Sequence, residues 1–366
     1  MSLPLLVLIG LALVFLQSRL YRRFGMSRLS YERTFSKTAC RAGDEIEMIE
    51  RIANDKWLPL PWLRLEATMP AALRFGYQGD MTVREGTRFQ NHRSVFALKP
   101  YTEIIRRHRV RCLRRGCFDL ETAVMTTGDL FGFAQHSTTL RVGVRLLVYP
   151  VPAPVEDLPL PWRGWQGEMV VRRFILEDPF VKQGVREYRP GDPMRSIHWK
   201  ATARTGKLQV HQLAPTANRK LTILLNMEVN PDMWSDVTDP DLIEWGIRCC
   251  LTLVEQCLAQ GIPTGFACNG HSIDQDTRTP VRVPPAGGQQ QYEKILLEMA
   301  KLQLRLSLPF AGLLELEQPE EETDFILVTT HTANGIQDRI ATLESRGATV
   351  CVLPLIRGEG EAYAAV

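Results

Sequence analysis

Residues Tyr188–Leu208, YRPGDPMRSIHWKATARTGKL, decide how this chain of 366 residues is read. The stretch holds a turn, five basic side chains, one acid, one histidine and one tryptophan. It is too charged for a core and too aromatic for a plain linker, so it either locks two domains together or presents a surface. Apolar and polar side chains alternate before it; strand-like and helix-like runs alternate after it.

Downstream, Lys220–Leu225 reads as a short apolar strand, Asp241–Gln260 as an amphipathic helix and Pro263–Cys268 as a buried strand. Gln289–Leu306 then reads as helix, Asp324–Thr330 as strand, Gly335–Arg346 as helix and Ala348–Leu353 as strand. This order predicts an α/β domain over 220–366, with right-handed crossovers and a mostly parallel sheet. Ligands of such sheets gather at the carboxyl ends of the strands. That edge carries Asn226, Glu228, Asn230, Asn269, Thr329, Thr330 and His331.

Upstream, EIEMIERIAN at Glu45–Asn54 alternates as a half-buried strand does, and Leu63, Leu65 and Ala67 continue that period. Pro59, Pro61 and Pro70 argue against helix there. Further extended runs at Ser94–Leu98, Glu103–Leu113, Phe118–Thr127 and Leu140–Tyr149 predict an immunoglobulin-like β sandwich over 25–150. Arg106, Arg107, Arg109, Arg111, Arg114 and Arg115 read as a solvated strand edge, the alternative being a surface for anionic lipid headgroups. Pro152, Pro154, Pro159 and Pro161 then stiffen the start of a connector, 151–219, that ends with the basic motif.

Leu3–Leu16 is apolar apart from Pro4 and Gly10, and is followed by Gln17, Ser18, Arg19, Arg22, Arg23 and Arg28. The pattern predicts a transmembrane helix over 1–24. By the positive-inside rule it leaves the bulk of the chain in the cytoplasm, as a single-pass protein of the inner membrane. A cleaved signal peptide would carry its charges before the apolar run. Eight cysteines, at 40, 112, 117, 249, 250, 257, 268 and 351, follow no framework spacing and fit a reduced compartment. Cys112, Cys117 and His108 lack a fourth ligand for zinc. A net charge of +3 does not by itself point to nucleic acid.

The run YRPGDPMRSIHWKATARTGKLQV resembles the signature of the domain-of-unknown-function family numbered 58, Tyr-x-x-Gly-Asp-x-x-Arg-x-Ile-x-Trp-Lys-x-x-Ala-Arg. Looser similarities are the Pro-x-Pro-Trp at Pro59–Trp62, Arg115–Gly116, Asp129–Gly132 and Tyr149–Pro150. The resemblance implies a membrane-tethered protein with a von Willebrand factor A-like domain after the motif, working beside a MoxR-type AAA+ ATPase. It implies no enzyme activity.

The motif residues admit two roles. In the first, Gly191 and Asp192 turn the chain after Pro190, Asp192 pairs with Arg195 or caps the following segment, and Trp199 is the large buried anchor of an interdomain clamp fringed by Lys200, Arg204 and Lys207, with Tyr188 and His198 in the same motif. In the second, the same residues form a basic docking surface: Lys182–Lys207 has seven Lys or Arg and two acids, enough to steer an acidic partner. Nucleic acid fits less well, because the stretch offers few aromatics for stacking. Von Willebrand A domains often hold a divalent cation through Asp-x-Ser-x-Ser. The corresponding Asn226, Glu228 and Asn230 keep oxygens but lose the leading aspartate, so no cofactor is expected, magnesium being the one candidate. No P-loop, nucleophile elbow or dinucleotide fingerprint occurs, and neither His198 nor His211 has a nucleophile at a meaningful spacing. The expectation is a non-enzymatic, membrane-anchored adaptor. Its rival is a metal-dependent hydrolase or ligand-binding protein acting at the sheet edge.

Overall fold

In the first half of the chain apolar side chains recur at every second position, and most such runs form strands. The computed structural model describes residues 3–76, 81–85, 89–158, 177–188, 197–215, 220–233, 235–275, 277–317, 323–333 and 335–356. The chain divides into two units, Met1–Pro150 and Val151–Val366.

The first unit opens with helix α1 (Leu3–Phe24). Strands follow as β1 (Leu29–Phe35), β2 (Ala39–Arg41), β3 (Glu45–Asn54), β4 (Leu60–Pro70) and β5 (Leu73–Phe75). Then come β6 (Met81–Glu85), β7 (Phe89–Leu98), β8 (Thr102–Cys112), β9 (Gly116–Gly128) and β10 (Gln135–Tyr149). They form two sheets, β1-β3-β8-β5 and β2-β10-β9-β4-β7-β6. All neighbours are antiparallel except β2 beside β10. Ile46, Met48 and Ile52 of β3, Leu63 and Leu65 of β4, Val110 of β8 and Leu146 of β10 share one core. Burying an aliphatic side chain of this size stabilises by about 1.5–3 kcal/mol.

Arg106, Arg107, Arg109 and Arg111 lie on β8, which pairs with β3 along nearly its whole length but with the short β5 only at Val110–Cys112, and its alternation turns Arg107, Arg109 and Arg111 outward but Arg106 and His108 inward; Arg114 and Arg115 follow the strand.

The expected membrane span is also corrected. Among the described residues no helix is long and apolar enough to cross a membrane. The apolar stretch Leu3–Leu16 rises about 21 Å at about 1.5 Å per residue, against a hydrocarbon core of about 30 Å. Beyond it the helix sits on protein: Tyr21 is buried and its hydroxyl donates to the Pro59 carbonyl at 3.0 Å, and Ser18 Oγ donates to the Asp129 carboxylate. The single-pass, inner-membrane placement rested on that span and falls with it.

The second unit contains β11 (Glu177–Glu187), helix α2 (Trp199–Thr205), β12 (Gln209–Pro215) and β13 (Lys220–Leu225). Helix α3 (Pro240–Ala259) leads to β14 (Thr264–Cys268), β15 (Gly270–Ser272) and β16 (Val281–Ala286). Helix α4 (Gln289–Lys301), β17 (Leu302–Leu306), helix α5 (Phe310–Leu316), β18 (Thr323–Thr329), helix α6 (Ile336–Ser345) and β19 (Val350–Pro354) complete it. The main sheet has the order β16-β14-β13-β18-β19.

This corrects the predicted architecture. The sheet is mixed, because β16 runs antiparallel to β14 while the other pairs are parallel. With the smaller antiparallel pairs β11–β12 and β15–β17, the described chain is mostly strand. The expected helix over Gln289–Leu306 stops at Lys301, and the alternating LQLRL that follows pairs with β15 as β17.

Helix α3 is buried nearly all round. Its N-cap Asp239 accepts from the Leu242 N–H at 3.1 Å, and Pro240 fills the first turn. The start of the connector lies against it, with the Thr252 hydroxyl donating to the Ala153 carbonyl at 2.9 Å. None of the eight cysteines forms a disulfide; Cys249 and Cys250 are buried in α3.

Candidate functional site

Two places in the second unit gather the polar residues singled out by the sequence: the basic motif and the carboxyl edge of the main sheet.

In the motif, Gly191, Asp192 and Arg195 lie outside the described residues. Tyr188, His198, Trp199, Lys200 and Arg204 lie within them. The Tyr188 N–H donates to the Leu208 carbonyl at 2.9 Å, and the His198 N–H to the Gln209 carbonyl at 2.7 Å, so both ends of the motif are tied to the approach to β12. The His198 ring caps α2, its Nδ1 accepting from the Ala201 N–H at 3.1 Å. This use of Nδ1 as an acceptor fixes the ring and makes His198 a cap. Gly206 ends the helix at φ 70°, a left-handed conformation that glycine adopts without strain, and its N–H donates to the Thr202 carbonyl at 2.9 Å. Thr202 Oγ1 in turn accepts from the Gln209 N–H at 3.0 Å.

These bonds hold a short helix whose outer face is open. Trp199 is 67% exposed, not the buried anchor that a clamp requires. Lys200, Ala203 and Arg204 are exposed beside it, and Lys207 pairs at 3.1 Å with the equally exposed Glu187. Ile197 and Val210, bridged behind the helix, and Gln209 are buried. One exposed indole flanked by two cations and held by a capped backbone is suited to contact a flat or acidic surface.

At the sheet edge, the register β14-β13-β18 brings Asn226, Glu228, Asn269 and Thr329 together, all buried. Asn226 Nδ2 donates to Thr329 Oγ1 at 3.0 Å, while its Oδ1 accepts from the Glu228 N–H at 2.9 Å. Asn269 Oδ1 accepts from the Met227 N–H at 2.9 Å. Glu228 Oε1 accepts from the Phe310 N–H at 2.7 Å, at the start of α5, and from Asn269 Nδ2 at 3.4 Å. The Thr330 hydroxyl closes the network on the Glu228 carbonyl at 2.9 Å. Burial pushes the Glu228 carboxyl above its ordinary range, against the pull of these two hydrogen bonds. Asn230 stands apart and exposed.

A magnesium ion needs a cage of oxygens aimed at one point. Here the amide and carboxylate oxygens are aimed at N–H donors, and the third residue of the triplet is turned to solvent. The donor set does not fit that ion. Among the described residues no group of three or more His, Cys, Asp or Glu is arranged to hold a metal.

The sequence did not single out Asn269 and Phe310 as partners of Glu228, since one is an amide on another strand and the other acts through its backbone. Nor did it flag Arg33 and Glu50, a buried ion pair of the first unit at 3.0 Å. A glutamate at an inward position of EIEMIERIAN was the available signal.

Fold and site together define a mostly β protein of two units, the second bearing a mixed α/β sheet and an exposed tryptophan helix. Residues 184–305 match the family described as "Protein of unknown function DUF58". "Uncharacterized protein YeaD" of Bacillus subtilis (strain 168) is 21% identical over 277 residues, 73% of this chain; the match spans 61% of that relative's length. Among solved structures, the full-length major pilin SpaD from Corynebacterium diphtheriae is similar at 11% identity and a TM-score of 0.25, over 30% of this chain and 33% of that one. A non-cellulosomal cohesin from the archaeon Archaeoglobus fulgidus is similar at 12% identity and a TM-score of 0.23, over 33% and 91%.

Proposed function

We propose that this protein is a non-enzymatic adaptor that engages a protein partner through the face formed by Trp199, Lys200 and Arg204. The partner is a MoxR-type AAA+ ATPase, by the family resemblance, and the unit beyond the motif serves as a von Willebrand factor A-like platform. The observation that carries the reading is the exposure of Trp199 on a helix fixed at both ends. Tryptophan and arginine are the side chains that most often dominate interface energies, and a rigid backbone limits the entropy lost on docking.

Calorimetric titration of the purified protein with the purified ATPase tests it. Trp199→Ala should weaken binding by at least about 30-fold, the effect of a tryptophan hot spot of about 2 kcal/mol. The melting midpoint should stay within a degree or so, since little of the ring is buried. A large drop in the midpoint with binding intact returns Trp199 to a structural role and defeats the proposal. The rival reading, a metal-dependent hydrolase at the sheet edge, has less support, because Glu228 and Asn226 are already bonded to N–H groups.

A further inference from the structure

The first unit buries a group of charges that an adaptor surface does not use. Alternation puts Arg33 of β1, Glu50 of β3 and Arg106 and His108 of β8 on the inner face of one sheet, and the register places Glu50 opposite both Arg33 and Arg106. Glu50 is saturated. Its Oε1 accepts from Arg33 Nη2 at 3.0 Å and from the Tyr31 hydroxyl at 2.6 Å; its Oε2 meets His108 Nε2 at 3.0 Å and lies 4.0 Å from Arg106.

One carboxylate thus faces two guanidinium groups. The Arg33 side chain is 1% exposed, and its Nε and Nη1 have no hydrogen-bond partner among the described residues. Between Arg33, Met48 and Glu50 on one side and Leu65, Ala67, Met69, His92 and Ser94 on the other lies a cavity of about 10 Å³, in which the centre of one water-sized guest can move; the Glu50 carboxylate on its wall is already engaged by Arg33, Tyr31 and His108. Burying a charge without a full counter-charge is strongly unfavourable. A water would satisfy the free N–H groups without cancelling the charge; a cation has the wrong sign; sulfate and phosphate are too large.

We infer that this cavity is a site for a monovalent halide ion, chloride under ordinary salt conditions, held by the Arg33 guanidinium between the two sheets. The ion neutralises the excess charge, accepts from the free N–H groups and stabilises the first unit. As a ligand of the folded state alone, it raises stability with its concentration.

The test compares the thermal midpoint of the intact protein in sodium chloride, bromide and gluconate at one ionic strength, with Ala67→Val as the control. Valine suits a strand and fills the cavity from its apolar side. The wild-type midpoint should rise saturably with chloride or bromide relative to gluconate, and the Ala67→Val midpoint should not depend on the anion. Equal wild-type midpoints in the three salts overturn the inference, as does an anion dependence that survives Ala67→Val. Should that variant not fold, wild-type crystals grown in bromide decide: an anomalous peak against Arg33 supports the site, and its absence there refutes it.

Discussion

At the scale of single residues, Glu228 is the most informative side chain of the second unit. Its carboxylate is buried and bonded to a backbone N–H and an amide, with no cation beside it among the described residues. Such a group needs an acceptor oxygen and has no use for the charge. Glu228→Gln, which keeps that oxygen, is therefore expected to be neutral or stabilising, whereas Glu228→Ala orphans the Phe310 N–H and should cost about 1–3 kcal/mol by denaturant unfolding. A strong loss from Glu228→Gln would show that the negative charge itself is needed. The sequence placed Asn226 and Glu228 at a strand end, since alternation of strand and helix fixes which ends meet. It did not reveal that their oxygens face N–H donors, because that depends on Asn269 and on the start of α5, far away in sequence.

At the scale of elements, the caps determine which short segments persist. Removing the acceptor at the start of α3 through Asp239→Ala should lower stability by about 1 kcal/mol. Gly206→Ala, at φ 70°, should loosen α2 by a similar amount, seen as faster hydrogen exchange at its amides, including that of Gly206, with the main sheet unaffected. The strands around Glu45–Asn54, Glu103–Leu113, Lys220–Leu225 and Pro263–Cys268 were legible because their apolar period matches the face they bury. β16 was not: Pro284 and Pro285 interrupt the donors a central strand needs, yet an edge strand tolerates proline, and the edge is where β16 lies. β17 was absorbed into the preceding helix because five residues are too few for periodicity to separate the two. The N-terminal helix was read as a membrane span because composition shows an apolar run but not what its end touches. Tyr21 and Ser18 bind it to the first unit instead.

At the scale of the whole molecule, the two units should respond to acid with opposite sign. In the first, burial, then the charges of Arg33 and His108, push His92 down to about 4, with Glu50 opposing. The unfolded chain takes up that proton near the ordinary 6.5, so the stability present above that pH is lost as pH falls toward 4. Burial alone would raise Glu50, but the His108 hydrogen bond, the Arg33 charge and the Tyr31 hydrogen bond outweigh it and hold the carboxyl down to about 2. Its contribution is present above the ordinary carboxylate value and lost as pH falls through about 2, the same direction as His92. Each amounts to at most ~3 kcal/mol. Glu228 behaves inversely. Its raised value means that stability is present below the ordinary carboxylate range and lost as pH rises through the folded value. Taking the protein from pH 7 to 4, across the His92 window, should therefore loosen β7 and its neighbour β4 while β13 and β18 hold, the strands around Glu50 following only as pH falls further toward 2. Hydrogen exchange at both pH values, corrected for the intrinsic rate, resolves the two units; equal loss of protection in both would detach the acid response from the Arg33, Glu50 and His92 cluster.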